Sequence, residues 1–145
     1  MRTLLNILLT VTVVAGILGF SEPAAAQDVT VRIRSIGACT EGKAFDSELD
    51  DLKGKLKKAF RGYSSFKLID DDQFTLSKKQ SHTETVPGGT KVKITFHGTA
   101  GNMLRLGLAI GDKLQTTLRA SPGSTFFQAG LDYKDCMLIL AITAK

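Results

Sequence analysis

From Phe66 onward the chain is a series of short apolar runs, several with a period of two, cut at intervals by glycine, proline and aspartate. That pattern leaves room for little besides a sheet built from tight hairpins. Leu104, Leu106, Leu108 and Ile110 form one such run, and Leu114, Thr116 and Leu118 resume it after Gly111-Asp112-Lys113. A three-residue loop pairs Ile110 with Leu114 and Leu106 with Leu118, whereas a two-residue loop sets Leu108 against Gln115. The apolar match selects the longer loop. Residues 80–98 read as a hairpin turned at Pro87-Gly88-Gly89-Thr90. Pairing symmetrically about Gly88-Gly89 sets Glu84 opposite Lys93 and places Val92, Ile94 and Phe96 opposite Thr85, Thr83 and Ser81. Ser121-Pro122-Gly123-Ser124 and Asp132-Tyr133-Lys134-Asp135 are further turn signals around a strand at 125–129. The last run, 136–143, is apolar on both faces and much too short to span a membrane, so it is expected to be a central strand.

Upstream, Val29, Val31 and Ile33 alternate with Thr30, Arg32 and Arg34, which predicts a strand over 28–36 with one buried face. The period then changes. Leu49, Leu52, Leu56, Ala59 and Phe60 recur at helical spacing and predict one amphipathic helix from Asp46 to about Arg61. Asp46 suits its cap, acidic residues crowd its positive end, lysines its negative end, and Gly62 a stop. The lysine run therefore has a local electrostatic role, and a solvated helix face explains it better than nucleic-acid binding. Asp70-Asp71-Asp72 is expected to turn between two strands, since the alternating oxygens, glycine and distal glutamate of a calcium loop are absent. The order is β, α, then about seven strands. The expectation is an α+β domain, a mainly antiparallel sheet or curled half-barrel whose single helix, after strand 1, covers one opening.

Residues 1–26 read as a cleavable signal peptide, leaving one β-rich domain over 27–145. Arg2 supplies a positive start, residues 4–20 are apolar except for Asn6, Thr10 and Thr12, and Ala24-Ala25-Ala26 precedes Gln27 as a small-residue cleavage site. The apolar run is shorter than the roughly 20 residues of a typical span. No cysteine follows the cleavage site, so lipoprotein attachment is not expected. The net charge of +5 belongs to the mature part, because Arg2 and Glu22 cancel. That diffuse excess suits solubility, with attraction to anionic envelope polymers or lipid headgroups as a second consequence.

Cys39 and Cys136 both lie in the exported part, where an oxidising compartment permits a bridge. Their spacing excludes a CxxC redox motif, leaving a disulfide or two buried thiols. If strand 1 and the last strand are antiparallel neighbours, Cys39 meets Cys136. If they are parallel, the two lie roughly 25 Å apart at about 3.3 Å per residue.

No GxSxG or HExxH motif is present, and the only histidines, His82 and His97, stand in no recognisable arrangement. The symmetric register projects both imidazoles from the Glu84 side of the hairpin, where His82, His97 and Glu84 could form an open zinc or copper site; a solvent-facing polar strip is the simpler account. Arg105 and Arg119 are the more informative pair. The leucine-matched register sets them directly opposite, where like charges repel unless solvent or an anion separates them. A phosphate or carboxylate between them suits guanidinium forks, although long side chains can also splay into water.

Residues 122–130, Pro-Gly-Ser-Thr-Phe-Phe-Gln-Ala-Gly, followed by the apolar run Met137 to Ala144, resemble the hairpin near the end of the secretin homology domain. There a turn glycine, an apolar strand, a second glycine and a final apolar strand recur. The longer secretin barrel segments are absent, so the resemblance does not imply pore formation. As a whole the mature chain is similar in pattern to small, signal-bearing envelope proteins of Gram-negative bacteria, which implies location rather than activity.

The expected function is a non-enzymatic binding or assembly module of the envelope, periplasmic or secreted. Its partner is expected to be an envelope protein or anionic polymer, with no cofactor, no specific nucleic acid and no span after signal cleavage. One alternative is a periplasmic metal-binding protein or enzyme using His82 and His97. Another is a small carrier holding an apolar ligand beneath the helix. Mass spectrometry of exported material should find a mature chain beginning at Gln27; retention of the apolar run in the membrane fraction contradicts the signal reading.

Overall fold

A computed structural model describes residues 27–145, so the expected signal peptide lies outside the described residues. Turn residues cut the chain into β1 (Asp28–Cys39), β2 (Ser65–Ser77), β3 (Ser81–Thr85), β4 (Lys91–Ala100), β5 (Met103–Ile110), β6 (Leu114–Ala120), β7 (Thr125–Tyr133) and β8 (Cys136–Ala144). Between β1 and β2 a 3-10 turn, Ser47–Leu52, runs directly into α1 (Lys53–Ala59). The strands form two four-stranded sheets, ordered β2-β1-β8-β7 and β3-β4-β5-β6, with every pair antiparallel. The chain meanders, crossing between sheets at β2–β3 and β6–β7, and its last strand returns beside its first. The sheets are not closed into a barrel.

Strand β8 explains the layering. Residues 138–142 are all 0% exposed. Leu138, Leu140 and Ile142 pack between the sheets with Val29, Val31, Ile33, Ile94 and Leu106. Ile139 and Ala141 face the other way, into a second core with Leu49, Leu52 and Leu56. The helix therefore covers the outer face of one sheet rather than an opening of a half-barrel, which corrects the expected placement. At seven residues α1 is too short to hold by itself, and burial of Leu49 and Leu52 in the 3-10 turn and Leu56 in α1 stabilises the segment by roughly 1.5–3 kcal/mol per leucine. Asp46 caps the first turn, its Oδ1 accepting from the Glu48 N–H at 3.1 Å. Of the expected stripe only Ala59 is exposed; Phe60 packs against the same core, edge-on to Phe127 on β7.

The three aspartates do not turn the chain. They lie inside the continuous strand β2, opposite Ser35, Arg34 and Ile33 of β1. Asp71 accepts a forked pair of hydrogen bonds from Arg32, one of them 2.8 Å. Ile69 has no partner on β1 and forms a bulge, which reverses the facing of the strand. Before it, Phe66 and Leu68 face the helix; beyond it, Phe74 and Leu76 face the opposing sheet. Arg34 is 3% exposed beneath the helix, where it donates to both Asp51 carboxylate oxygens at 2.8 and 2.9 Å.

Strands β1 and β8 are antiparallel, with Ala38 opposite Met137, so the next rung brings Cys39 to Cys136. The two are disulfide-bonded, with Cα atoms 4.8 Å apart and a sequence separation of 97 residues. Closing so long a loop is worth about 4–5 kcal/mol in the chain-entropy model. The double variant Cys39→Ser/Cys136→Ser should lose stability by up to that amount in urea melts. Unfolded, unreduced native protein should show no free thiol.

Candidate functional site

Burial of one valine decides which way the β3–β4 hairpin faces. The Val86 N–H donates to the Thr90 carbonyl at 2.9 Å across a three-residue turn, and Gly88 and Gly89 both adopt positive φ. Gly88 also comes so close to the β7–β8 hairpin that a Cβ there would stand 2.7 Å from the Asp132 carbonyl oxygen. Val86 is thereby 3% exposed. Glu84 consequently pairs with Val92, Thr83 with Lys93 and His82 with Ile94, one residue away from the symmetric pairing. A one-residue slip exchanges the two faces of a strand.

That shift corrects the expected metal arrangement. His82 and Glu84 point inward on the face of Val92 and Ile94, whereas His97 is exposed on the opposite face. The three do not converge, and no group of three or more potential metal ligands occurs among the described residues. His82 instead stacks on Phe74, with ring centroids 4.0 Å apart. Glu84 is pressed toward β2, and its Oε2 is buried without a hydrogen-bond partner. Burial, then the carboxyl of Asp72 and the charge of Asp70, push its pKa up to about 8. Protonated Glu84 can share its proton with Asp72; once both ionise, like charges face each other at a partly buried sheet edge.

The other face of this sheet has a different character. Glu84 is the only carboxylate in β3, β4, β5 and β6, and it points inward. The outer face carries Lys91 and Lys93 on β4, His97 beyond them, Arg105 on β5 and Arg119 on β6. The expected loop places Ile110 opposite Leu114 and Arg105 directly opposite Arg119, both exposed. The two ion pairs formed among the described residues, Arg32–Asp71 and Arg34–Asp51, lie on the other sheet. Neither Arg105 nor Arg119 therefore has a carboxylate partner, and their repulsion is relieved by solvent or by an anion from outside.

Small residues hollow out the centre of the face. Gly107 and Ala109 on β5 floor an open trough of about 370 Å³, walled by Lys93, Thr95, His97, Gln115 and Thr117. The His97 ring lies over Gly107, its Nε2 2.8 Å from where a Cβ would stand, so only glycine permits that placement. No sequence motif marks Lys91, Lys93 or the trough, and His97 stands out in the sequence only as a possible metal ligand. A signal for them was present: between Ser81 and Ala120 the carboxylates are Glu84 and the loop residue Asp112. Arg32 and Arg34, which also contribute to the net positive charge, are instead neutralised within the fold.

Beneath the helix, where a carried apolar ligand was expected, Ile36, Leu49, Leu52, Leu56, Phe66 and Ile139 pack against one another. No protein-family model matches the chain, and no curated protein or solved structure is significantly similar to it. The chemistry of the exposed faces is thus what a functional reading rests on.

The acid groups also set a pH profile. Glu84, raised above its ordinary 4.5, contributes most below that value and loses the contribution as pH rises toward about 8. Asp51 and Asp71 are held below their ordinary 3.8 by hydrogen bonds from Arg34 and Arg32, so their contribution is present above that value and lost at lower pH. Thermal stability should therefore peak at about pH 4–5 and decline toward pH 8. Glu84→Gln should flatten the decline and raise the melting temperature at pH 8, leaving the acid limb in place; an unchanged upper limb contradicts the shared-proton arrangement.

Proposed function

We propose that this chain is an exported binding module of the cell envelope that holds an anionic polymer on the outer face of β3–β6. The observation that carries this reading is the segregation of charge: four strands present two lysines, two arginines and a histidine outward, and their single carboxylate is turned inward. An extended ligand fits better than a lone ion, because Lys93, level with Ala109, and Arg105 are separated by four residues of strand, about 13 Å. A cationic face without internal partners attracts polyanions over a distance set by salt, and forked guanidinium groups hold carboxylate or phosphate at contact. The disulfide fits an oxidising compartment, and no helix among the described residues is long and apolar enough to cross a membrane.

Arg105→Gln/Arg119→Gln should weaken polyphosphate binding roughly tenfold at about 0.01 M ionic strength, each exposed charge being worth up to about 1 kcal/mol. The circular dichroism spectrum should be unchanged, since both side chains are exposed. If the native protein binds no polyanion at that salt, the proposal fails.

A further inference from the structure

Charge alone does not account for the trough between the cations. A face that only attracted polyanions would work as well with Val or Thr in the middle of β5, residues that favour strands, yet the chain places Gly107 and Ala109 there. Glycine inside a strand weakens it and often marks the close approach of another group. Part of the vacated space takes the His97 ring, and the remainder is open to solvent. Its volume, about 370 Å³, lies within the range of small-ligand clefts, about 300–1,000 Å³.

The groups around it are short and polar. Thr95 and Thr117 flank Gly107 from the neighbouring strands, and Gln115 and Lys93 flank Ala109. Thr95 also exchanges a hydrogen bond with Ser81 at 2.7 Å, which holds its hydroxyl in place. Hydroxyl, amide and imidazole groups can both donate and accept, whereas the ammonium and guanidinium groups at the two ends only donate. A polyol that offers donors and acceptors along its length, and negative charge at intervals, complements that order.

Resting on the anionic-polymer reading above, we infer that the trough is a saccharide subsite: it seats a sugar ring of an acidic polysaccharide over Gly107 and Ala109. The ring hydroxyls meet Thr95, Thr117, Gln115 and His97. The acidic substituents, carboxylate or phosphate, meet Lys93 at one end and the Arg105–Arg119 pair at the other. The chain of sugars then runs along the strands, parallel to the line from Lys93 to Arg105.

The test compares three probes on the full mature protein at matched charge concentration: polygalacturonate for carboxylated sugars, a phosphomannan for phosphorylated sugars, and polyphosphate for charge without sugar. The native protein should prefer at least one saccharide over polyphosphate by about fivefold, the size of one net hydrogen bond. The preferred saccharide identifies the acidic group. Gly107→Ala displaces the His97 ring and raises the floor, and Ala109→Val fills the other end; each should bring the ratio down toward one. Using both variants guards against either failing to fold, which a thermal melt reports. Equal affinity for all three probes overturns the saccharide subsite and leaves the anionic-polymer reading standing. Failure of all three to bind overturns both. A saccharide preference that survives in both folded variants overturns the placement over Gly107 and Ala109.

Discussion

The fold depends on burying a single strand from both sides. Residues 138–142 of β8 are apolar without alternation, and one face of an ordinary sheet could not hide them. Two partners are needed: a second sheet for Leu138, Leu140 and Ile142, and a helix for Ile139 and Ala141. The disulfide then ties the start of this strand to the end of β1, so the shared wall between the two cores joins the first and last strands. The two cores share this strand as their common wall.

Around that wall, the direction in which a side chain points is set by single-residue adjustments. The bulge at Ile69 lets one strand feed Phe66 to the helix core and Phe74 to the sandwich core, and it keeps three aspartates in a strand beside two arginines. The three-residue turn after Val86 does the same for β3. It buries a valine, and with it carries His82 and Glu84 inward and leaves Glu84 short of a partner. The energetic balance is legible: an apolar side chain gains by leaving water, while a carboxyl can reduce its cost by keeping its proton.

The same turn cleans the opposite face of acid. With Glu84 turned away, Lys91, Lys93, Arg105 and Arg119 share an exposed surface that has no carboxylate to neutralise it, whereas Arg32 and Arg34 on the other sheet are both paired. A protein with modest net charge thus acquires a strongly polarised side. Net charge describes solubility, but the placement of charge determines which partner a face can attract.

Much of this was readable from residues in order. Alternation identified the strands, the period of Leu49, Leu52 and Leu56 identified the helical segment, and leucine matching across Gly111-Asp112-Lys113 set Arg105 opposite Arg119, because side-chain facing within one hairpin is a local property of the pleat. The antiparallel return of β8 beside β1, and with it the disulfide, depended on a contact between segments distant in sequence. So did the sheet on which the helix lies, the conversion of Asp70-Asp71-Asp72 from a turn into paired strand, and the inward rotation of Glu84. Local pattern says that a residue alternates; only the neighbour that buries it decides which of the two faces is inside.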